Sequence, residues 1–344
     1  MIIITNSISI SRSGGRSKGL LVLGGQIQMA LFIAIAIVGA LAVAASAGAP
    51  GCPDCPDWNN FNAWWDRYHP ADSGSSSESI RDQALKSRSQ IQDEPEYDAE
   101  YALPELIVSQ ERGLDGRVLL DARSPADYRR GHLPGARNLY WQSLRPQGIL
   151  DADLAVIELG RLGVKDTDNI VVYGNGDDSA YLFWALEFLG HENLSRLDGD
   201  VEAYPDLELV ENAPETEESN YTSAARAGLM VDETMLKEAQ GNPGVQIVDA
   251  RSSYSDRATS RISNSMYFKT SDLYSDPKAG TLKGAGELQD LFSGKGIDEG
   301  KVQIIYGTPE ASALYFAMRT MGYRAAVVDG DWWQKTEYAV RSIS

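Results

Sequence analysis

The chain has 344 residues, 43% of them hydrophobic and 23% charged, which suits two domains and excludes disorder throughout. Its formal charge of −18 excludes a nucleic-acid binder, which needs basic surface to replace counterions around phosphate. With only two cysteines and three histidines, a disulfide-dense scaffold and a Cys/His zinc array are excluded, and cysteine chemistry is confined to Cys52 and Cys55.

Residues 1–51 carry Arg12, Arg16 and Lys18 and no acid, and the run from Met29 to Ala49 is uncharged. A basic flank followed by about 20 apolar residues without a polar stripe reads as a secretory signal or membrane anchor. Export through the cell envelope follows, to the periplasm or the outer face, with the chain held at the membrane by this segment or by a lipid. An organelle presequence fits less well, because such segments are amphipathic and this one is apolar all round. The rest of the chain is three units more acidic than the whole, which suits a basic protein partner rather than an anionic surface.

Cys52 follows small residues at the end of the apolar run, as in a lipoprotein cleavage site, although Ala49 and Pro50 depart from that pattern. Lipidation of Cys52 and a local Cys52–Cys55 disulfide are both compatible with Cys52-Pro-Asp-Cys55. A redox pair is a further reading. No βαβ pattern surrounds it, and Asp54 and Asp57 disfavour a thiolate. Trp58, Phe61, Trp65 and Tyr68 fall on one face of a short helix capped by Asp57. Beyond them, to residue 100, runs a polar, acidic tether. Segment 52–100 is therefore a Cys/aromatic stretch plus linker.

An internal repeat fills the remainder. Val118-Leu-Leu-Asp121-Ala-Arg123-Ser recurs as Gln246-Ile-Val-Asp249-Ala-Arg251-Ser. Ile170-Val-Val-Tyr173-Gly174 recurs as Gln303-Ile-Ile-Tyr306-Gly307, and Leu197-Asp-Gly-Asp200 as Val328-Asp-Gly-Asp331. The same order at a spacing of about 130 residues marks a duplication, with units over 101–212 and 224–344. Short β-branched runs alternate with helical stretches at 180–189 and 311–321, so each unit is α/β, with a mainly parallel sheet and helices on both faces.

Asp121-Ala-Arg123, Tyr128 and Gly131-His132-Leu133-Pro134-Gly135-Ala136 together resemble the signature of the rhodanese family in its tandem form. The second unit is more diverged, with Ser260-Arg-Ile-Ser-Asn-Ser265 in place of the His-containing stretch. The resemblance implies two rhodanese-like domains. It also implies a cysteine after the strand-ending tyrosine, then about five residues whose N–H groups cradle an anion ahead of a helix. Here those positions are Gly174 and Gly307, both loops look shortened, and Asp177, Asp178 and Glu310 stand where the anion belongs. These acids read as helix caps rather than cation ligands. Ser179 and Ser312 lack a neighbouring base in sequence. Asp121, Arg123, Asp249 and Arg251 read as fold-holding residues, and His132 and His191 as structural ones.

No catalytic residue in the folded body, no metal site and no cofactor are therefore expected. The expected function is a binding or accessory role in a cell-envelope sulfur or redox system. The alternative is a sulfurtransferase, or a carrier of sulfur or electrons, that uses the Cys52/Cys55 dithiol.

Overall fold

The computed structural model describes residues 101–109, 114–204 and 208–341. The run Met29–Ala49, Cys52, Cys55 and the aromatic segment at 57–68 lie outside the described residues. Among the described residues no helix is long and apolar enough to cross a membrane.

The first half forms a five-stranded, wholly parallel sheet in the order β1 (Ile107–Val108), β5 (Leu194–Leu197), β4 (Ile170–Tyr173), β2 (Val118–Asp121), β3 (Arg137–Asn138). The central Ile170–Tyr173 is buried at every position, as a parallel strand covered on both faces must be. Alternation divides the side chains. Leu120, Ile170 and Val172 join one apolar cluster; Leu119, Val171 and Tyr173 join another with Leu133, Ala136 and Val201. Helix α1 (Pro125–Arg130) starts on Ser124, whose Oγ accepts the Asp127 N–H at 3.2 Å, with Pro125 at the first position. Helix α2 (Ala152–Arg161) starts on Asp151 in the same way, accepting the Leu154 N–H at 3.0 Å. Helix α3 (Gly176–Phe188) begins four residues earlier than the apolar run at 180–189 suggests, and is buried continuously from Ser179 to Glu187.

The second half repeats the plan with four parallel strands, β12 (Ala325–Val328), β11 (Val302–Tyr306), β6 (Val245–Asp249) and β8 (Met266–Tyr267). Helices α4 (Glu233–Ala239), α5 (Tyr254–Thr259), α6 (Ala285–Gly294) and α7 (Glu310–Thr320) surround it. The α4 side chains Met235 and Leu236 cluster with Ile247, Ile304 and Trp333 on one face. Two pairs of short antiparallel strands complete the half: β9 (Tyr274–Asp276) with β10 (Thr281–Leu282), and β7 (Ser260–Ile262) with β13 (Ala339–Arg341).

A single apolar cluster runs through both halves, taking Leu120, Ile170 and Val172 from one sheet and Val248, Ile305 and Val327 from the other. Helices α3 and α7 pack against each other inside it, with the Phe183 and Phe316 rings edge to face at 4.9 Å. This explains why α3 is apolar on all sides: one side faces its own sheet and the other faces the second half.

The chain between the halves is not a free linker. His132 and Val210 exchange backbone bonds at 2.9 and 2.8 Å. The Ser219 N–H donates to the Gly160 carbonyl at 2.8 Å, and the Arg226 N–H to that of Phe188 at 2.7 Å. Tyr221 is buried and stacks on His191. At the other end, the Leu103 N–H bonds the Thr320 carbonyl at 2.9 Å and the Tyr101 hydroxyl bonds that of Lys283 at 2.8 Å. The chain thus crosses the second half before it enters the first sheet.

Candidate functional site

Each half brings an aspartate, an arginine and a tyrosine together at the carboxyl ends of its central strands. Pairing aligns Asp121 with Tyr173 and Asp249 with Tyr306. Arg123 Nε and Nη2 donate to the Asp121 carboxylate at 3.1 and 2.6 Å, and Nη2 reaches the Gly131 carbonyl at 2.8 Å. Arg251 repeats the fork on Asp249 at 2.9 and 2.7 Å and bonds the Ser260 carbonyl at 2.7 Å. The Tyr173 hydroxyl accepts the Leu133 N–H at 3.2 Å, and that of Tyr306 accepts the Ile262 N–H at 3.2 Å while donating to Asp249 at 2.8 Å. Burial, then the neighbouring aspartate, holds both phenols well above their usual range. These groups pin the loop after α1 or α5 to the sheet; they are buried and saturated.

His132 is fully buried, stacks on Tyr128 at 3.7 Å, and places Nδ1 3.0 Å from the Tyr128 carbonyl. His191 places Nε2 2.8 Å from the Asp168 carbonyl and Nδ1 3.2 Å from the Tyr221 hydroxyl. Burial pulls the His191 imidazole below its usual range.

Gly174 and Gly307 follow the two tyrosines, with φ of +142° and +102°. A Cβ on Gly174 would lie 3.1 Å from Arg123 Cγ and 3.4 Å from its backbone nitrogen. A Cβ on Gly307 would collide with Arg251 Cγ and lie 3.0 Å from the Arg251 nitrogen. Neither position therefore accepts a side chain as the backbone stands. Two residues separate Tyr173 from Gly176, the start of α3, and three separate Tyr306 from Glu310, the start of α7. A five-residue cradle of N–H groups has no room in either turn, and Pro309 contributes no N–H.

The acids beside these turns do not cap their helices, contrary to the expectation from sequence. The residues preceding the two helices are Asn175 and Pro309, and neither makes a side-chain cap. Asp177, Asp178 and Glu310 lie inside the first turn and reach sideways. Asp178 accepts the Trp141 indole N–H at 2.6 Å, and Glu310 accepts the Ser252 hydroxyl at 2.5 Å. Burial, then Glu310, pushes Asp177 up to about 6 against the pull of Arg196; burial also pushes Asp178 up to about 6. Ser179 Oγ accepts from Arg196 Nε at 2.8 Å and donates to the Asn175 carbonyl at 3.0 Å, while Ser312 Oγ is buried with no partner among the described residues. Among the described residues no three acids, histidines or cysteines converge on a point where a metal would sit.

A family profile described as "Rhodanese-like domain" matches residues 107–206. A putative thiosulfate sulfurtransferase of Haloferax volcanii is 26% identical over 239 residues, covering 60% of this chain and 80% of that one. The 3-mercaptopyruvate sulfurtransferase of Escherichia coli K12 is 24% identical over 235 residues, covering 62% and 83%. The chain has the rhodanese fold. The crystal structure of an Escherichia coli 3-mercaptopyruvate sulfotransferase superposes with a TM-score of 0.57 at 24% identity, covering 66% of this chain and 98% of that one, and shows the rhodanese fold.

Within this rhodanese fold, the Asp-Gly-Asp repeats acquire a role that sequence reasoning missed. Each carries an aspartate into the opposite half, half-buried at Asp198 and fully buried at Asp329. Asp198 accepts the Leu282 N–H at 2.9 Å, and Asp329 accepts the Leu150 N–H at 2.7 Å, Arg145 Nη2 at 2.8 Å and the Tyr181 hydroxyl at 3.0 Å. The Asp200 N–H bonds the Ala279 carbonyl at 2.6 Å. Glu187 on α3 was missed too: it accepts from Tyr315 at 2.7 Å and Arg319 at 2.8 Å on α7. The available signal was charge inside apolar runs, namely Glu187 in AYLFWALEFL, Arg196 in LSRL and Arg319 in ASALYFAMRTM.

Proposed function

We propose that this rhodanese-fold, sulfurtransferase-like protein works by binding rather than by sulfur transfer, as a tethered accessory component of a cell-envelope sulfur or redox system. The observation that carries the reading is the pair of glycines at the ends of β4 and β11. Both hold positive φ, and the adjacent arginine fills the space a cysteine side chain needs. A persulfide carrier requires a thiolate in a positive nest. Here the turns are too short for the nest, and three carboxylates lie beside them. The same carboxylates favour a basic partner beside the two turns. Export and attachment rest on residues 1–51 and on Cys52.

A second reading rests on Cys52-Pro-Asp-Cys55, the chain's only thiols. On a tether ahead of Tyr101 they would serve as a mobile dithiol. Intact-mass measurement of the full-length protein after incubation with thiosulfate or 3-mercaptopyruvate separates the two. Binding without transfer predicts an unchanged mass. A gain of one sulfur, mapped to Cys52 or Cys55, would replace it with the carrier reading.

A further inference from the structure

The connector between the halves lies directly over three glycines of the first half. A Cβ on Gly160 would stand 2.9 Å from the Ser219 carbonyl oxygen, and Cβ atoms on Gly163 and Gly190 would collide with the carbonyl oxygens of Glu217 and Ala224. The Ser219 and Ala224 N–H groups bond the Gly160 and Leu189 carbonyls at 2.8 and 3.0 Å. Between these two anchors Tyr221 turns into the apolar cluster, its ring nearly parallel to the buried His191 ring with centroids 6.0 Å apart.

The proton positions follow from the partners. His191 Nε2 lies 2.8 Å from the Asp168 carbonyl, which can only accept, so Nε2 carries the proton of the neutral ring. Nδ1 then holds a lone pair, and the Tyr221 hydroxyl 3.2 Å away donates to it. A second proton, on Nδ1, sets donor against donor. The hydroxyl must turn its own proton away, and among the described residues it has no other partner to receive it. A buried donor left without an acceptor weakens the contact that holds it.

We propose that His191 is a proton-operated latch on the connector: as the neutral ring it holds Tyr221 and the connector over the glycines, and as the imidazolium it releases them. The same stretch, at Glu217 and Glu218, walls a polar cavity of about 470 Å³ with Lys165, Asp166 and Thr167 opposite, so release removes one wall of that cavity. The latch is independent of whether the body binds a partner.

The charged groups around the imidazole are Asp168 and Asp166 from the turn between α2 and β4 and Glu192 from its own turn; Asp166 also faces the Tyr221 phenol that the connector brings. Burial holds the ring below its usual range against these three carboxylates and the Asp168 carbonyl. With the connector open, water returns the ring to about 6.5. The closed form therefore binds fewer protons than the open one, so closure is strongest above that value and weakens as pH falls below it. Asp177 and Asp178, raised by burial, slope the other way, so variants are compared with one another at each pH.

The test is amide hydrogen exchange of full-length protein at pH 7.5 and pH 5.0, corrected for intrinsic rates. Protection at Ser219 and Ala224 should fall by roughly 5–30-fold between the two. In His191→Asn, whose side-chain oxygen can accept from Tyr221 but cannot titrate, the fall should vanish. An equal fall in that variant, or none in the wild type, overturns the latch. If His191→Asn does not fold, ring-nitrogen NMR decides. At pH 7.5 His191 should carry its proton on Nε2, and its titration midpoint should rise in Tyr221→Phe, which removes the hydroxyl that favours the neutral ring. A proton on Nδ1, or an unmoved midpoint, overturns the latch.

Discussion

At the scale of single residues, Gly174 and Gly307 stand where the backbone leaves little room for any side chain. Their positive φ and the close arginines mean that the backbone has settled into a form which a cysteine cannot share. Gly307→Cys should therefore lower stability by about 1–3 kcal/mol, seen as a lower midpoint in thermal unfolding, without creating thiosulfate-to-cyanide turnover. Gly174→Cys should cost less, since its nearest contact is 3.1 Å and not a collision. Asp329 carries the opposite lesson. It is buried and accepts three donors from the first half, so Asp329→Ala strands Arg145 and a backbone N–H and should cost about 3–5 kcal/mol in denaturant unfolding. The Asp-x-Arg pairs were legible because they recur in fixed order. The grip of Asp198 and Asp329 on the opposite half was not, because a motif says where an aspartate stands and not what faces it after folding. The side-chain direction of Asp177, Asp178 and Glu310 was equally hidden. Acids near a helix start usually cap it, and here Trp141 and Ser252 compete for two of them.

At the scale of elements, the strands at 118–121 and 170–173 and the two long helices followed from β-branched runs and apolar content alone. What the pattern left out is why α3 and α7 are apolar all round. Each has a second neighbour in the other half, and periodicity within one helix does not reveal a partner 130 or so residues away. Their contact is specific as well as apolar. Phe183 meets Phe316 at 4.9 Å, and Glu187 accepts from Tyr315 and Arg319. Phe183→Ala should cost about 3–5 kcal/mol, as a large core ring does. Tyr315→Phe should cost about 1 kcal/mol, the net worth of one buried hydrogen bond. A Tyr315→Phe loss as large as that of Phe183→Ala would mean that the buried charge, and not the packing, holds the seam. The connector also escaped the sequence, since 213–223 is polar and carries little apolar content. It is held by the Ser219 N–H bond to Gly160, by the Ser219 and Ser223 hydroxyls on the Val164 and Leu189 carbonyls, and by buried Tyr221 against His191, and one tyrosine among polar residues is too sparse a pattern to mark a packed segment.

At the scale of the whole molecule, a continuous apolar cluster, two reciprocal aspartate clamps and a buried Glu–Arg pair join the two rhodanese halves. Scanning calorimetry should accordingly show one cooperative transition for the region 101–341, and Asp329→Ala should broaden or split it. In the proposed reading the joined halves bind without transferring sulfur, while the chain keeps its only thiols at Cys52 and Cys55, ahead of the folded part. The central claim is that the folded halves do not transfer sulfur, and steady-state thiosulfate-to-cyanide transfer by the full-length protein tests it most directly. Turnover should stay at the protein-free background in the wild type and in the Cys52→Ser, Cys55→Ser double variant. Turnover comparable to that of an active sulfurtransferase and surviving in the double variant would contradict it.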